Sequence, residues 1–127
     1  MERIRKIAKK KIIALLLLLI LGVALYVSTR QEKALKVIFV SKTQDDIDFW
    51  NSLVEGAQMA ADEYGAEYEW MAPVREKDVD RQKKLIREAI EKEPDVIALA
   101  PADEKQILPE AKKIKEAGIT LAVSYTH

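Results

Sequence analysis

The sequence contains no cysteine, which excludes a disulfide framework, a thiolate metal site, a cysteine nucleophile and a lipid-modified cysteine as a tether. Histidine is nearly absent. Its single copy, His127, is the last residue, where no packed shell can orient it, so histidine catalysis and histidine metal ligation are excluded as well. The four glycines, Gly22, Gly56, Gly65 and Gly118, lie too far apart to build a GxGxxG or GxxxxGK[ST] loop, so neither phosphate cradle is present and no nucleotide cofactor is expected. Carboxylates remain. Asp45, Asp46 and Asp48 cluster in one stretch, but no bidentate Glu or fixed ligand spacing follows, and they read as a solvated loop with no metal. No catalytic residues are expected, and the chain does not read as an enzyme.

Charge is present in equal amounts of both signs, with 21 Lys/Arg and 21 Asp/Glu, but it is not evenly spread. Residues 1–30 hold seven Lys/Arg against one Glu, and residues 31–127 hold fourteen against twenty acids. An acidic folded part repels phosphate backbones, so a nucleic-acid partner is not expected. Arg3, Arg5, Lys6, Lys9, Lys10 and Lys11 precede an unbroken apolar run from Ile12 to Val27, the layout of an export signal whose cations stay in the cytoplasm. Bulky Val23, Leu25, Tyr26 and Val27 leave no small-x-small cleavage site, which favours an uncleaved signal-anchor over a removed peptide. Residues 1–30 are therefore expected to be a basic stub and membrane helix, with residues 31–127 outside the membrane.

That second part alternates strand and helix signals. Ala34 to Val40 is a β-branched and aromatic run suited to a strand covered on both faces. Apolar or small residues at 49, 50, 53, 54, 57, 60, 61 and 64 predict a helix capped by Asp48 and stopped by Gly65. Gly56, inside that helix, is expected to allow close approach to the sheet. Glu67 to Met71 predicts a second strand, Asp80 to Lys92 a second helix and Val96 to Ala100 a third strand. A third helix then leads through Gly118 into the strand Ile119 to Val123. Pro109 is expected to break that last helix, with Asp103 to Leu108 as a separate turn. Four strands joined by helices in right-handed βαβ units predict an α/β fold, a parallel sheet of order 2-1-3-4 with helices on both faces.

Four stretches carry a family resemblance: KVIFVS, DFWNSLVEGAQMAADEYGAEYEW, DVDRQKKLIREAIEKEPDVIALAPAD and PEAKKIKEAGITLAV. In this order they resemble the N-terminal lobe of periplasmic sugar-binding proteins of the ribose/galactose and LacI-like type, from about Leu35 to Val123. The resemblance implies that residues 31–127 are a truncated N-terminal lobe, with the ligand held between it and a second lobe. It implies that Phe49 and Trp50 correspond to an aromatic pair that stacks on a sugar face, Trp50 foremost. Ser41 and Asp103, at the carboxyl edge where open α/β sheets hold ligands, would bond its hydroxyls. Asp103 reads equally as a helix cap.

The pattern departs from the ribose type at Ile47, Asp48 and Ala100, which points to another solute, and Ser124, Tyr125, Thr126 and His127 do not continue it. The function implied is extracytoplasmic binding of a sugar or similar small molecule for an ABC permease. A second reading is ligand sensing on behalf of a membrane sensor kinase. A flavodoxin-like enzyme or phosphoacceptor lacks its phosphate or acidic-pocket loop here. A LacI-type repressor would need a helix-turn-helix where the export signal stands.

Overall fold

The computed structural model describes residues 1–30, 33–45 and 47–124, so Asp46 and residues 125–127, on which two expectations fell, lie outside it. The chain divides into two units, Met1–Lys33 and Ala34–His127. In the first, helix α1 runs unbroken through Glu2–Thr29 and is long and apolar enough to cross a membrane. It continues through the cationic stretch as well as the apolar run. At its far end the Arg30 guanidinium lies 4.8 Å from the centre of the Tyr26 ring.

The second unit holds β1 (Lys36–Val40), α2 (Ile47–Tyr64), β2 (Glu67–Met71) and α3 (Val79–Glu91), followed by β3 (Val96–Leu99), α4 (Glu104–Glu116) and β4 (Thr120–Val123). All strand pairs are parallel, in the order β2-β1-β3-β4, as the alternation of signals predicts. Val40 stands opposite Met71 on one side and Leu99 on the other, so the carboxyl ends of the three strands are level.

Alternation along the strands sorts side chains onto two faces. Ile38, Val40, Ile97 and Leu99 meet Leu85, Ile86 and Ala89 of α3 and Ile107 and Ile114 of α4 in the main core. The opposite face carries a smaller cluster of Phe39, Trp50 and Ala100, flanked by Tyr68, Trp70 and Ala98. Helix α2 covers this second face, and part of the helix itself stays open: its Leu53, Met59 and Tyr64 are exposed.

Helix ends obey the glycine signals. Gly65 and Gly118 take φ of 66° and 76°, and the next N–H groups turn back to bond the helix, Ala66 to the Ala61 carbonyl at 2.8 Å and Ile119 to that of Ile114 at 3.2 Å. Three other expectations are corrected. Asp48 is not a cap: α2 begins at Ile47, which puts Asp48 in the first turn, where its charge still favours the helix N-terminus.

Pro109 does not break α4 either. It lies in the second turn, where it forfeits a single helical bond, and the buried anchors Ile107, Glu110 and Ile114 hold both sides of it in one helix.

Gly56, third, is exposed and a Cβ built on it would meet nothing within 4 Å, so it serves no close approach. A glycine of this kind only weakens the helix. Gly56→Ala is therefore expected to raise the unfolding free energy by about 1 kcal/mol, read as a higher denaturation midpoint at unchanged slope. A loss of stability would show that α2 packs closer to the sheet than this geometry has it.

Candidate ligand-binding edge

The loops that leave the carboxyl ends of β1, β2 and β3 are bound to one another by side chains and backbone. Ser41 follows β1 and is completely buried. Its N–H donates to the Met71 carbonyl at 3.0 Å and its hydroxyl to the Thr43 carbonyl at 3.2 Å, while its Oγ accepts the indole N–H of Trp70 at 2.8 Å. Gln44 reaches the β2 loop twice, through its N–H to Pro73 O at 3.0 Å and its amide to Ala72 O at 2.9 Å. Asp45 accepts the Glu76 N–H at 3.0 Å. These bonds make one platform of the first two loops.

Gln82, on α3, adds the third. Its side chain is fully buried. The amide nitrogen donates to the Ser41 carbonyl at 3.1 Å and the Ala100 carbonyl at 2.9 Å, and the amide oxygen accepts the Ala102 N–H at 2.8 Å. Both donors and one acceptor position of the amide are used. Nothing in the sequence singled out this residue, which sits in a run of charged helix positions; only its i,i+3/i+4 spacing to Leu85 and Ile86 hinted that it faces inward.

Asp103 caps α4, its carboxylate accepting the Gln106 N–H at 2.9 Å. That backbone bond holds its pKa below the usual carboxylate range, against an opposing pull from partial burial. The group is an anion at the edge of the platform, with capping and ligand contact both open to it.

The aromatic pair divides. Trp50 is 2% exposed, its ring 6.0 Å from that of Phe39 and edge-on to Phe49 at 4.9 Å, whereas Phe49 is 46% exposed. The two buried members of the expected set lie as follows. Trp50 presents no free face for stacking, because it fills the space between α2 and the strands. Ser41 presents no hydroxyl, because both its burial and its bonds turn it inward. Of the four residues expected to bind ligand, Phe49 and Asp103 remain accessible at the carboxyl edge, and Trp50 and Ser41 lie beneath it.

Grooves with mainly apolar walls lie away from this edge. One of about 510 Å³ runs between α2 and the sheet, lined by Leu35, Val37, Phe39, Leu53 and Tyr68 among others. Among the described residues, the Tyr68 hydroxyl is a buried polar atom without a partner, and burial raises its pKa. Such a lining does not suit a polyhydroxylated solute, whose hydroxyls need several convergent partners. Another, of about 260 Å³, lies between α4 and β4 and is likewise mainly apolar, with Leu99, Ile107, Leu108 and Leu121 in its wall.

Comparisons with known proteins agree with this architecture. The family model described as a periplasmic binding protein domain matches residues 37–125. A sugar transporter from Clostridium phytofermentans is 50% identical, with a TM-score of 0.66 over 72% of this chain and 34% of its own. An ABC transporter solute-binding protein from Burkholderia multivorans is 26% identical, with a TM-score of 0.65 over 72% of this chain and 33% of its own. A third, from Agrobacterium vitis with bound α-D-tagatopyranose, is also 26% identical, with a TM-score of 0.65 over 70% of this chain and 29% of its own. The chain thus spans about a third of the length of these solved structures. No curated protein matches it.

Proposed function

Because the chain belongs to the periplasmic binding protein domain family, we propose that it supplies the first lobe of an extracytoplasmic sugar-binding protein that serves an ABC permease, held at the membrane by α1. The observation that carries this reading is the carboxyl edge itself. There an exposed aromatic, Phe49, in the first turn of α2, and an ionised carboxylate, Asp103, at the N-cap of α4, flank loops that Gln82 joins by hydrogen bonds. An aromatic face packs on the C–H face of a sugar ring, and a carboxylate accepts bonds from two adjacent hydroxyls. Trp50 supports Phe49 from below, and Ser41 supports the loop.

One lobe offers only half of the contacts that a closed two-lobed site would make, so affinity is expected to be about millimolar. The whole chain in lipid nanodiscs, titrated with D-allose, D-tagatose and D-ribose, should show saturable amide shifts at residues 41–45, 49, 100, 102 and 103. Saturable shifts confined to the α4–β4 groove, or none with any of the three, would sink the reading.

A second reading keeps the ligand and changes the partner to a membrane sensor kinase. It is favoured by α1, which stays helical to Thr29 with Tyr26 and Arg30 stacked at its outer end, an arrangement suited to a retained anchor at the membrane interface. Copurification from membranes decides between them: a permease and ATPase, or a kinase.

A further inference from the structure

The amide of Gln82 ties the loop after β1 to the loop after β3 directly. It lies 0% exposed under both, donating to the carbonyls of Ser41 and Ala100 and accepting from the N–H of Ala102. The two loops lead into the ends of the proposed site: the one after β1 runs into α2, whose first turn holds Phe49, and in the other Ala102 immediately precedes Asp103. Strand pairing by itself stops just short of this point. The last ladder bond between the two strands runs from the Ala100 N–H to the Val40 carbonyl at 2.9 Å, and their register ends at Val40 and Leu99. From there on the spacing of the loops depends on what bridges them.

We infer that Gln82 is a positioning residue for ligand binding, a buried three-bond strut on α3 that sets the distance and orientation between the Phe49 and Asp103 sides of the edge. The inference rests on the sugar-binding reading above and deepens it. The chemistry requires an amide. Two carbonyl oxygens need donors and one N–H needs an acceptor, within reach of one side chain, and a carboxamide is the neutral group that offers both. Glutamate would set an oxygen against two carbonyl oxygens, and asparagine is one methylene too short to reach both loops from the same backbone position. Methionine fills the volume and makes none of the bonds, so the three backbone groups are left to find water by moving the loops apart. Misplacement of this order between contacting groups is enough to cost affinity although neither touches the amide.

The whole chain in nanodiscs, titrated with D-allose, provides the test. Gln82→Met is expected to weaken binding about tenfold or more and to speed hydrogen exchange at the Ala102 amide, while the Ala100 amide, bonded within the sheet, keeps its protection. Ile86→Val is the control: it trims the same buried face of α3 one turn away and should keep affinity within about twofold. If Gln82→Met does not fold, Gln82→Asn is read in the same way, since it keeps the amide and only withdraws it. Unaltered affinity with Ala102 exchanging faster would show a strut that ligand binding does not use, and would overturn the inference. Equal loss in the Ile86→Val control would also overturn it, as it would mark general loosening. Failure of the unsubstituted chain to bind any of the three sugars would instead strike the sugar-binding reading.

Discussion

Trp50→Ala is expected to cost about 3 to 5 kcal/mol of unfolding free energy, the usual range for removing a buried aromatic. The ring is 2% exposed and is the largest fully buried side chain of the molecule. It packs on Phe39 of β1 and Ala100 beyond β3, so it fastens α2 to that face of the sheet. Helix α2 has little else to hold it. Among its described apolar positions Trp50 and Ala61 are the buried ones, at 2% and 8% exposed, while Phe49 and Leu53 are 46% and 40% exposed. Against a total stability of about 5 to 15 kcal/mol, the loss is sufficient to release α2 or unfold the unit. Phe49→Ala should behave in the opposite way. Its cost is about 1 kcal/mol, the worth of an edge-on aromatic contact, but the amide shifts induced by D-allose should disappear. Urea denaturation and sugar titration of both variants separate the roles. A Trp50→Ala protein of near-native stability that no longer answers sugar would return the stacking role to Trp50.

Removal or protonation of Glu110 is expected to have the next largest effect. This carboxylate is 3% exposed between α3 and α4. It accepts two bonds from Arg87, at 3.3 and 3.0 Å, and lies 3.4 Å from the Lys113 ammonium. Burial alone would raise its pKa, but the Arg87 bonds and charge, reinforced by Lys113, outweigh it and hold the pKa below the ordinary value. The Arg87 guanidinium is raised in turn, chiefly by the same hydrogen bonds. A carboxylate with a depressed folded-state pKa stabilises the fold fully above its unfolded value of about 4.3, and that contribution is lost as pH falls through the folded value. Glu110→Gln is therefore expected to cost about 1.5 to 3 kcal/mol near neutrality, the worth of hydrogen bonds to a charged group. The figure stays below that for an uncompensated buried charge because Arg87 is half exposed and can rehydrate. Denaturation curves should converge for the two proteins in acid. A gap that stays constant as pH falls well below about 4.3 would mean that packing, rather than ionisation, accounts for the loss.

Both effects concern residues whose roles were only partly visible beforehand, and the reason differs. Phe49 and Trp50 are neighbours on a helix, about 100° apart around its axis. Their types show that an aromatic pair opens α2, but which ring turns inward depends on where Phe39 of β1 and Ala100 just past β3 stand, and those residues are 11 and 50 positions away from Trp50 in opposite directions. Glu110 stands among Lys112, Lys113 and Lys115 and reads as part of a wet charged face, until α3 brings Arg87 across it. Gln82 is the same case without a charge. Pro109 shows the converse, a strong local rule yielding to anchors on either side of it.

The sequence by itself determined the export-signal layout of the N-terminus, the four strands and three helices that follow, the helix stops at Gly65 and Gly118 and the sheet order β2-β1-β3-β4. It also determined the family. These are consequences of periodicity, turn chemistry and chirality, which act between residues close in the chain or through rules of connection that hold for any right-handed crossover. Only the tertiary structure decided which of two adjacent aromatics faces solvent, that Ser41 is sealed, that Glu110 is paired and that one glutamine joins two loops. Burial and hydrogen bonding are properties of surroundings, and those surroundings come from segments far apart in sequence, whose meeting no local pattern records.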